Sequence, residues 1–200
     1  MSALPQDPVA MTETEYLDFE RASEFKHEFI DGEVFAMTGA SERHNLISVS
    51  TLAALYSQLR GGSCKVYPAD MRLKVQASGL YTYPDISIVC GDAQFGDERL
   101  DTLLNPTVLI EILSPSTERY DRGRKFQDYR KLPSLREYVL IAQDAPHVER
   151  YRLQDNGNWE LADAEGLDAR LELTSIGCTL ALADIYEQVT FGEDDAEPAT

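Results

Sequence analysis

Residues 81–90 read YTYPDISIVC, and residues 106–117 read PTVLIEILSPST. Asp85 follows a proline and opens an apolar, β-branched run. Glu111 sits inside a run that is apolar on both sides. Short apolar runs of this kind, bounded by turn residues, read as buried strands. Side chains alternate along a strand, so Glu111 shares a face with Leu109 and Leu113, while Ile110 and Ile112 occupy the other. Both faces are apolar and therefore covered. A carboxylate is among the last groups expected in such a place unless it is paired or holds a metal. Two carboxylates on consecutive apolar strands suggest a shared cation. The plainer reading is an ion pair with one of the many arginines that follow Glu111.

Outward from these strands the chain punctuates clearly. Thr12 and Glu15 have capping-box spacing, opening a helix to about Glu24. Asp31-Gly32 between apolar stretches signals a hairpin. Ser41 caps a helix through Leu59, in which Leu46, Val49, Ala53 and Tyr56 keep helical spacing and which Gly61-Gly62 ends. CKVYPADMRLKV (64–75) reads as two short strands around a proline break. Residues 91–106 form a polar loop with one helical turn. Ser114-Pro115-Ser116-Thr117 stops the Glu111 strand and caps a helix from Thr117 to Lys131, which Pro133 closes. Glu137–Ala142 is another buried strand. Residues 147–153 and the stretch around Trp159 alternate as an antiparallel hairpin, and a short helix covers Leu182–Val189. The expected organisation is a flexible N-terminus (1–11), one domain (12–191) and a disordered acidic tail (192–200). Its class is mixed α/β, a central mixed β-sheet flanked by α-helices.

Two hundred residues with 43% hydrophobic content suffice for one domain with a real core. The net charge is −17 and unevenly placed. From Gln154 onward there are twelve acidic residues and one base, Arg170. Arg119–Lys131 instead holds six bases and two acids. The overall charge argues against loose nucleic-acid binding, and the local basic face is where DNA contact is expected. Three distant cysteines without CxxC spacing argue against a disulfide framework and a cysteine-rich zinc site, and fit a reducing compartment. No apolar run reaches transmembrane length and the first ten residues lack the features of a secretory signal, so a cytoplasmic protein is expected. No His-x-x-x-His, GxGxxG, P-loop or GxSxG element occurs, which leaves zinc-hydrolase, dinucleotide, NTPase and serine-hydrolase readings without support.

Mg²⁺ takes oxygen ligands, often one or two carboxylates with water and substrate phosphate. Asp85 and Glu111 supply such a pair if their strands are neighbours. A cation near the developing charge would complete a phosphodiesterase site. Lys125 is the candidate: Asp121, Lys125 and Tyr129 recur every four residues, at the edge of a stripe formed by Phe126, Tyr129 and Leu132. The alternative is a surface Asp121–Lys125 pair. Three further residues are candidates: Glu33 after the hairpin turn, His44 in the first turn of its helix, and Asp70 after Pro68-Ala69. Each also has an ordinary surface or turn-capping role open to it.

The ordered set PDISIV, VLIEILSPST, Asp121-x-x-x-Lys125-x-x-x-Tyr129 and EYVLI, preceded by EFIDGEVFAMTGASERH, resembles the Uma-type family of restriction-endonuclease-like proteins. That family belongs to the PD-(D/E)XK nuclease superfamily, and the likeness runs from about Thr12 to Ile185. It implies a restriction-endonuclease-like core and hydrolysis of DNA phosphodiester bonds with Mg²⁺, or with Mn²⁺ in its place. Its acidic signature falls on Asp85 and Glu111, with the backbone carbonyl of Ile112 as a further metal ligand. The sequence departs at the lysine: Leu113 stands where Glu-x-Lys is expected. Some superfamily members carry that lysine on the following helix, where Lys125 stands. The expected partners are DNA and a second copy of the chain as a homodimer, with no membrane. The rival reading is a catalytically inactive member of the fold, acting as a structural or interaction protein. Hydrolysis of another phosphate ester is a third.

Overall fold

The structure, a computed structural model, describes residues 10–192. The expected acidic tail lies outside the described residues apart from Gly192, and the expected flexible N-terminus apart from Ala10 and Met11. The mixed α/β class is the one observed.

The chain begins with α1 (Glu13–Ala22), whose capping box forms: the Thr12 hydroxyl accepts from the Glu15 N–H, and the Glu15 carboxylate accepts from the Thr12 N–H. Strands β1 (His27–Ile30) and β2 (Glu33–Ala36) make the predicted hairpin. Its two-residue turn has φ of 54° at Asp31 and 87° at Gly32, the left-handed pair that matches strand twist. Helix α2 (Glu42–Leu59) starts at Ser41, whose hydroxyl accepts from the His44 N–H. It buries Ile47, Thr51, Leu55 and Leu59, not the set picked out by spacing. Val49 and Tyr56 are exposed. Both sets satisfy a helical period, and only the packing partner chooses between them.

Six strands form the central sheet in the order β11-β10-β9-β8-β6-β3: β3 (Cys64–Pro68), β6 (Ile86–Cys90), β8 (Val108–Ile112), β9 (Glu137–Ile141), β10 (His147–Leu153) and β11 (Trp159–Glu165). Among the described residues of this sheet only β8–β9 is parallel, which requires a crossover, and the basic helical segment provides it. The parity reading of β8 holds. Ile110 and Ile112 enter one core with α2 residues, while Leu109 and Leu113 enter another with Tyr129, Leu132 and Tyr138. The second core is shared with a five-stranded sheet, β2-β1-β5-β4-β7, built with β4 (Arg72–Val75), β5 (Leu80–Thr82) and β7 (Thr102–Leu103). The helical turn expected in residues 91–106 is instead the short strand β7. A last hairpin, β12 (Arg170–Leu173) and β13 (Cys178–Ala181), leads into the short α5 (Leu182–Ile185).

The helix expected from Thr117 to Lys131 is interrupted. It runs as α3 (Glu118–Tyr120), a π-helical turn (Asp121–Lys125) and α4 (Phe126–Tyr129). The cysteine expectation is corrected. Cys64 and Cys90 face each other across β3 and β6 and are disulfide-bonded, while Cys178 is a buried free thiol. Residues 26 apart in sequence become cross-strand partners through the register, which no cysteine spacing announces. No helix among the described residues is long and apolar enough to cross a membrane.

Candidate active site

Antiparallel pairing of β6 with β8 sets Ile86 opposite Ile110, which brings Asp85, one residue before β6, alongside Glu111 and Ile112. The Ile112 N–H donates to Asp85 Oδ2 at 2.7 Å, and His44 Nε2 lies 3.2 Å from the same oxygen. His44 reaches it because α2 begins at this edge of the sheet. The Ser41 hydroxyl at its cap bonds Gln143, whose amide in turn donates to the Leu113 carbonyl.

Glu111 is buried on the β8 face that looks toward the π-helical turn. Tyr129 donates its phenolic proton to Glu111 Oε1 at 2.7 Å. Lys125 Nζ lies 3.0 Å from the same oxygen, 3.2 Å from Asp121 Oδ1 and 3.4 Å from Glu28 Oε1, with 6% of its side chain exposed. The surface Asp121–Lys125 pair therefore forms, but inside the protein and as part of a larger cluster. A π-helical turn shifts the helical phase by one residue, and such turns recur at functional sites.

Three carboxylates, Glu111, Asp121 and Glu28, thus gather about one ammonium, and Asp85 stands alongside Glu111 on the neighbouring strand. Burial pushes the Glu111 carboxyl up to about 8, helped by the charges of Asp121 and Asp85 and opposed by Lys125. Asp121 is raised by burial as well. Burial pulls the Lys125 ammonium down, but Glu111, Glu28 and Asp121 outweigh it and hold it well above the ordinary lysine value. Burial raises the two carboxyls, and the cluster's excess of negative charge adds to that rise at Glu111 and overcomes burial at Lys125, so the cluster keeps protons.

The other predicted residues divide. Glu33 is exposed at the start of β2 and does not line the cleft. Asp70 is 86% exposed and pairs with Lys26. The carboxylate brought in by the hairpin is Glu28, five residues earlier, which also accepts from the Thr82 hydroxyl. The sequence reading missed Glu28, and it missed Tyr129 as a partner of Glu111. The hairpin turn held the signal for Glu28. With Asp31-Gly32 as a two-residue loop, Glu28 pairs with Phe35 and lies over the sheet, whereas Glu33 sits beside the turn.

These groups floor an open cleft of about 1160 Å³, walled by β1, the β2–α2 connection, the start of α2 and the Ser114–Thr117 turn. Among the described residues no three Asp, Glu, His or Cys side chains converge as a ready cage for a metal. The donor set still suits a hard cation that keeps several waters: two carboxylates, Asp85 and Glu111, beside an excess of buried negative charge. The basic helix is less free than its composition suggests. Arg122 pairs with Glu118 and Glu149, Arg124 with Asp31 and Asp128, and Lys131 with Asp128.

Comparison with known proteins agrees with this architecture. Two proteins of Synechocystis sp. (strain ATCC 27184 / PCC 6803 / Kazusa), both described as uncharacterized, are similar along nearly their whole length. One (slr1290) is 36% identical over 177 residues, 88% of this chain and 92% of its own. The other (sll1609) is 33% identical over 164 residues, 82% and 93%. A crystal structure from Anabaena variabilis ATCC 29413, described as "a putative nuclease belonging to DUF820", superposes with a TM-score of 0.74 at 20% identity. It covers 90% of this chain and 99% of that one. At that identity the likeness is one of fold, the restriction-endonuclease-like architecture. The profile of one family, described as "Putative restriction endonuclease", matches residues 14–183, and the chain belongs to that family, Uma2.

Proposed function

We propose that this protein is a metal-dependent endonuclease that hydrolyses DNA phosphodiester bonds by PD-(D/E)XK chemistry. The observation that carries the reading is the gathering of Glu111, Asp121 and Glu28 around Lys125, with Asp85 alongside Glu111, at the floor of an open cleft. The family's description supports it. Asp85, Glu111 and the Ile112 carbonyl would hold Mg²⁺, or Mn²⁺ in its place. When bound, the ion supplies Lewis acidity toward the phosphate and lowers the pKa of its water.

The chain's own groups do the rest. The Ile112 N–H and His44 orient the Asp85 carboxylate. Tyr129 fixes Glu111 from the buried side. Lys125, held protonated by its neighbours, is a donor rather than a base. Its role is to orient the attacking water and stabilise negative charge developing on the phosphate oxygens.

Incubation of plasmid DNA and labelled oligonucleotides with Mg²⁺ or Mn²⁺ tests the proposal. Cleavage is expected in wild type and not in Asp85→Ala or in chelator. Absence of cleavage on every DNA, or cleavage that survives Asp85→Ala, overturns it. The presence of Leu113 at the usual lysine position and the pairing of Arg122 and Arg124 with carboxylates favour one second reading, a non-catalytic member of the fold. That reading expects an intact fold and no cleavage with any divalent cation.

A further inference from the structure

Two of the large exposed apolar side chains stand at the mouth of the same cleft: Phe25, 72% exposed, and Phe35, 48% exposed. Scattered exposed phenylalanines need no explanation. The placement of Phe35 does. It is paired with Glu28 in the β1–β2 register, so the two side chains project from one face of the hairpin. Glu28 on that face reaches Lys125. The opposite face, with Phe29 and Val34, is spent on the small core against Tyr16 and Tyr81. Phe35 is thus an aromatic ring held on an edge strand, beside Glu28 of the carboxylate cluster and lining the same cleft. Phe25 lies further out along the same wall, just before β1.

From this geometry we propose that Phe35, with Phe25, is a stacking rim for unpaired nucleobases, and that the substrate is single-stranded DNA. The inference rests on the nuclease reading above and names its substrate class. Base stacking on aromatic rings is the general means of holding single strands, and it works for any base because every base has a π-face. Charge decides against the duplex. A duplex presents one phosphate charge per roughly 1.7 Å of axis and hides its bases, so binding it relies on basic side chains. Here the chain carries −17 overall, and Arg122, Arg124, Lys125 and Lys131 of the basic segment are each paired with carboxylates. A single strand carries a lower charge density and offers bases to Phe35 and Phe25. Lys26, whose partner Asp70 is exposed, and Arg43 line the same cleft, where a backbone leading from the rim to the cluster would pass.

The test measures binding and cleavage separately. Fluorescence anisotropy in chelator compares a labelled 12-nucleotide dT strand, an abasic strand of the same length and a 12-base-pair duplex. Cleavage of the same three is then followed in Mn²⁺. The dT strand should bind at least about tenfold more tightly than the abasic strand, and Phe35→Ala should remove that difference. Phe35→Trp should retain it, and Phe35→Leu, apolar but without a π-face, should not. Phe35→Ala should raise KM on the dT strand about tenfold and leave kcat and Tm unchanged. Equal binding of dT and abasic strands, or a duplex bound and cut as well as the single strand, overturns the rim. So does a Phe35→Ala variant whose only change is loss of self-association by light scattering, since the rim would then face a second copy. Base-dependent binding that needs Phe35, without cleavage in any cation, supports the rim and overturns the nuclease reading instead.

Discussion

Lys125 Nζ stands 3.0 Å from Glu111 Oε1, although the two are carried on different elements and joined by a Ser-Pro-Ser turn and a π-helical turn. The short connection forces the helix back onto the sheet it has just left. The widened turn then directs the lysine inward, beside Tyr129, rather than toward solvent. Replacing it removes the only ammonium in contact with Glu28, Glu111 and Asp121 among the described residues.

Lys125→Met is therefore expected to lower cleavage by about 10²-fold or more, the usual cost of losing a group aimed at developing charge. It should also destabilise the fold by about 3 kcal/mol, because buried carboxylates lose their counter-charge. Adding Glu111→Gln should recover part of the stability and none of the activity. Urea unfolding and cleavage assays on the single and double variants check both. Lys125→Arg should not rescue fully, since a planar guanidinium does not replace a compact ammonium.

Glu28 and Glu33 lie on the same hairpin but have different surroundings. Glu28→Gln should reduce cleavage about tenfold or more by releasing Lys125 from one of its partners. Glu33→Ala should leave activity unchanged and stability within about 0.5 kcal/mol, as expected of an exposed site. Side-by-side kinetics of the two variants decide the matter. Equal effects would mean that the hairpin, not Glu28, is what matters.

The Cys64–Cys90 bond closes a loop between residues 26 apart. By its effect on the unfolded chain it should contribute about 3 kcal/mol. Denaturation with and without reductant, compared with a Cys64→Ala/Cys90→Ala variant, measures this. The variant should match the reduced wild type and no longer respond to reductant.

Acid sensitivity has one clear source outside the cleft. Arg21 holds the Asp101 carboxyl well below the ordinary value, against burial and with help from Thr102 and Arg72. A carboxyl depressed on folding adds stability above its unfolded value, near 3.8, and that stability is lost as pH falls below it. Asp101→Asn should be less stable than wild type at pH 7, and the gap should narrow below about pH 4. Urea midpoints across the acid range report it.

Much of the architecture was legible because it is local. The capping box at Thr12, the left-handed turn at Asp31-Gly32, the cap at Ser41 and the alternation around Glu111 each depend on residues within a few positions of one another. They predict the strands bearing Asp85 and Glu111, and the helical phase that places Lys125 next to Tyr129. The buried face of α2 was not legible in this way, since two apolar stripes compete on one helix. Nor was β5, or the β12–β13 hairpin.

Local sequence is enough to say which carboxylates stand in apolar strands, which lysine follows them and which turns connect the elements, because period and turn chemistry are short-range. It took the folded packing to bring Glu28 rather than Glu33 to Lys125, to set Cys64 against Cys90, and to spend Arg122 and Arg124 of the basic helix on Glu118, Glu149, Asp31 and Asp128. Each of those outcomes depends on the register of strands and the packing of a helix across distances that no local pattern spans. A one-residue change of register would exchange every side chain between faces and produce a different site from the same residues.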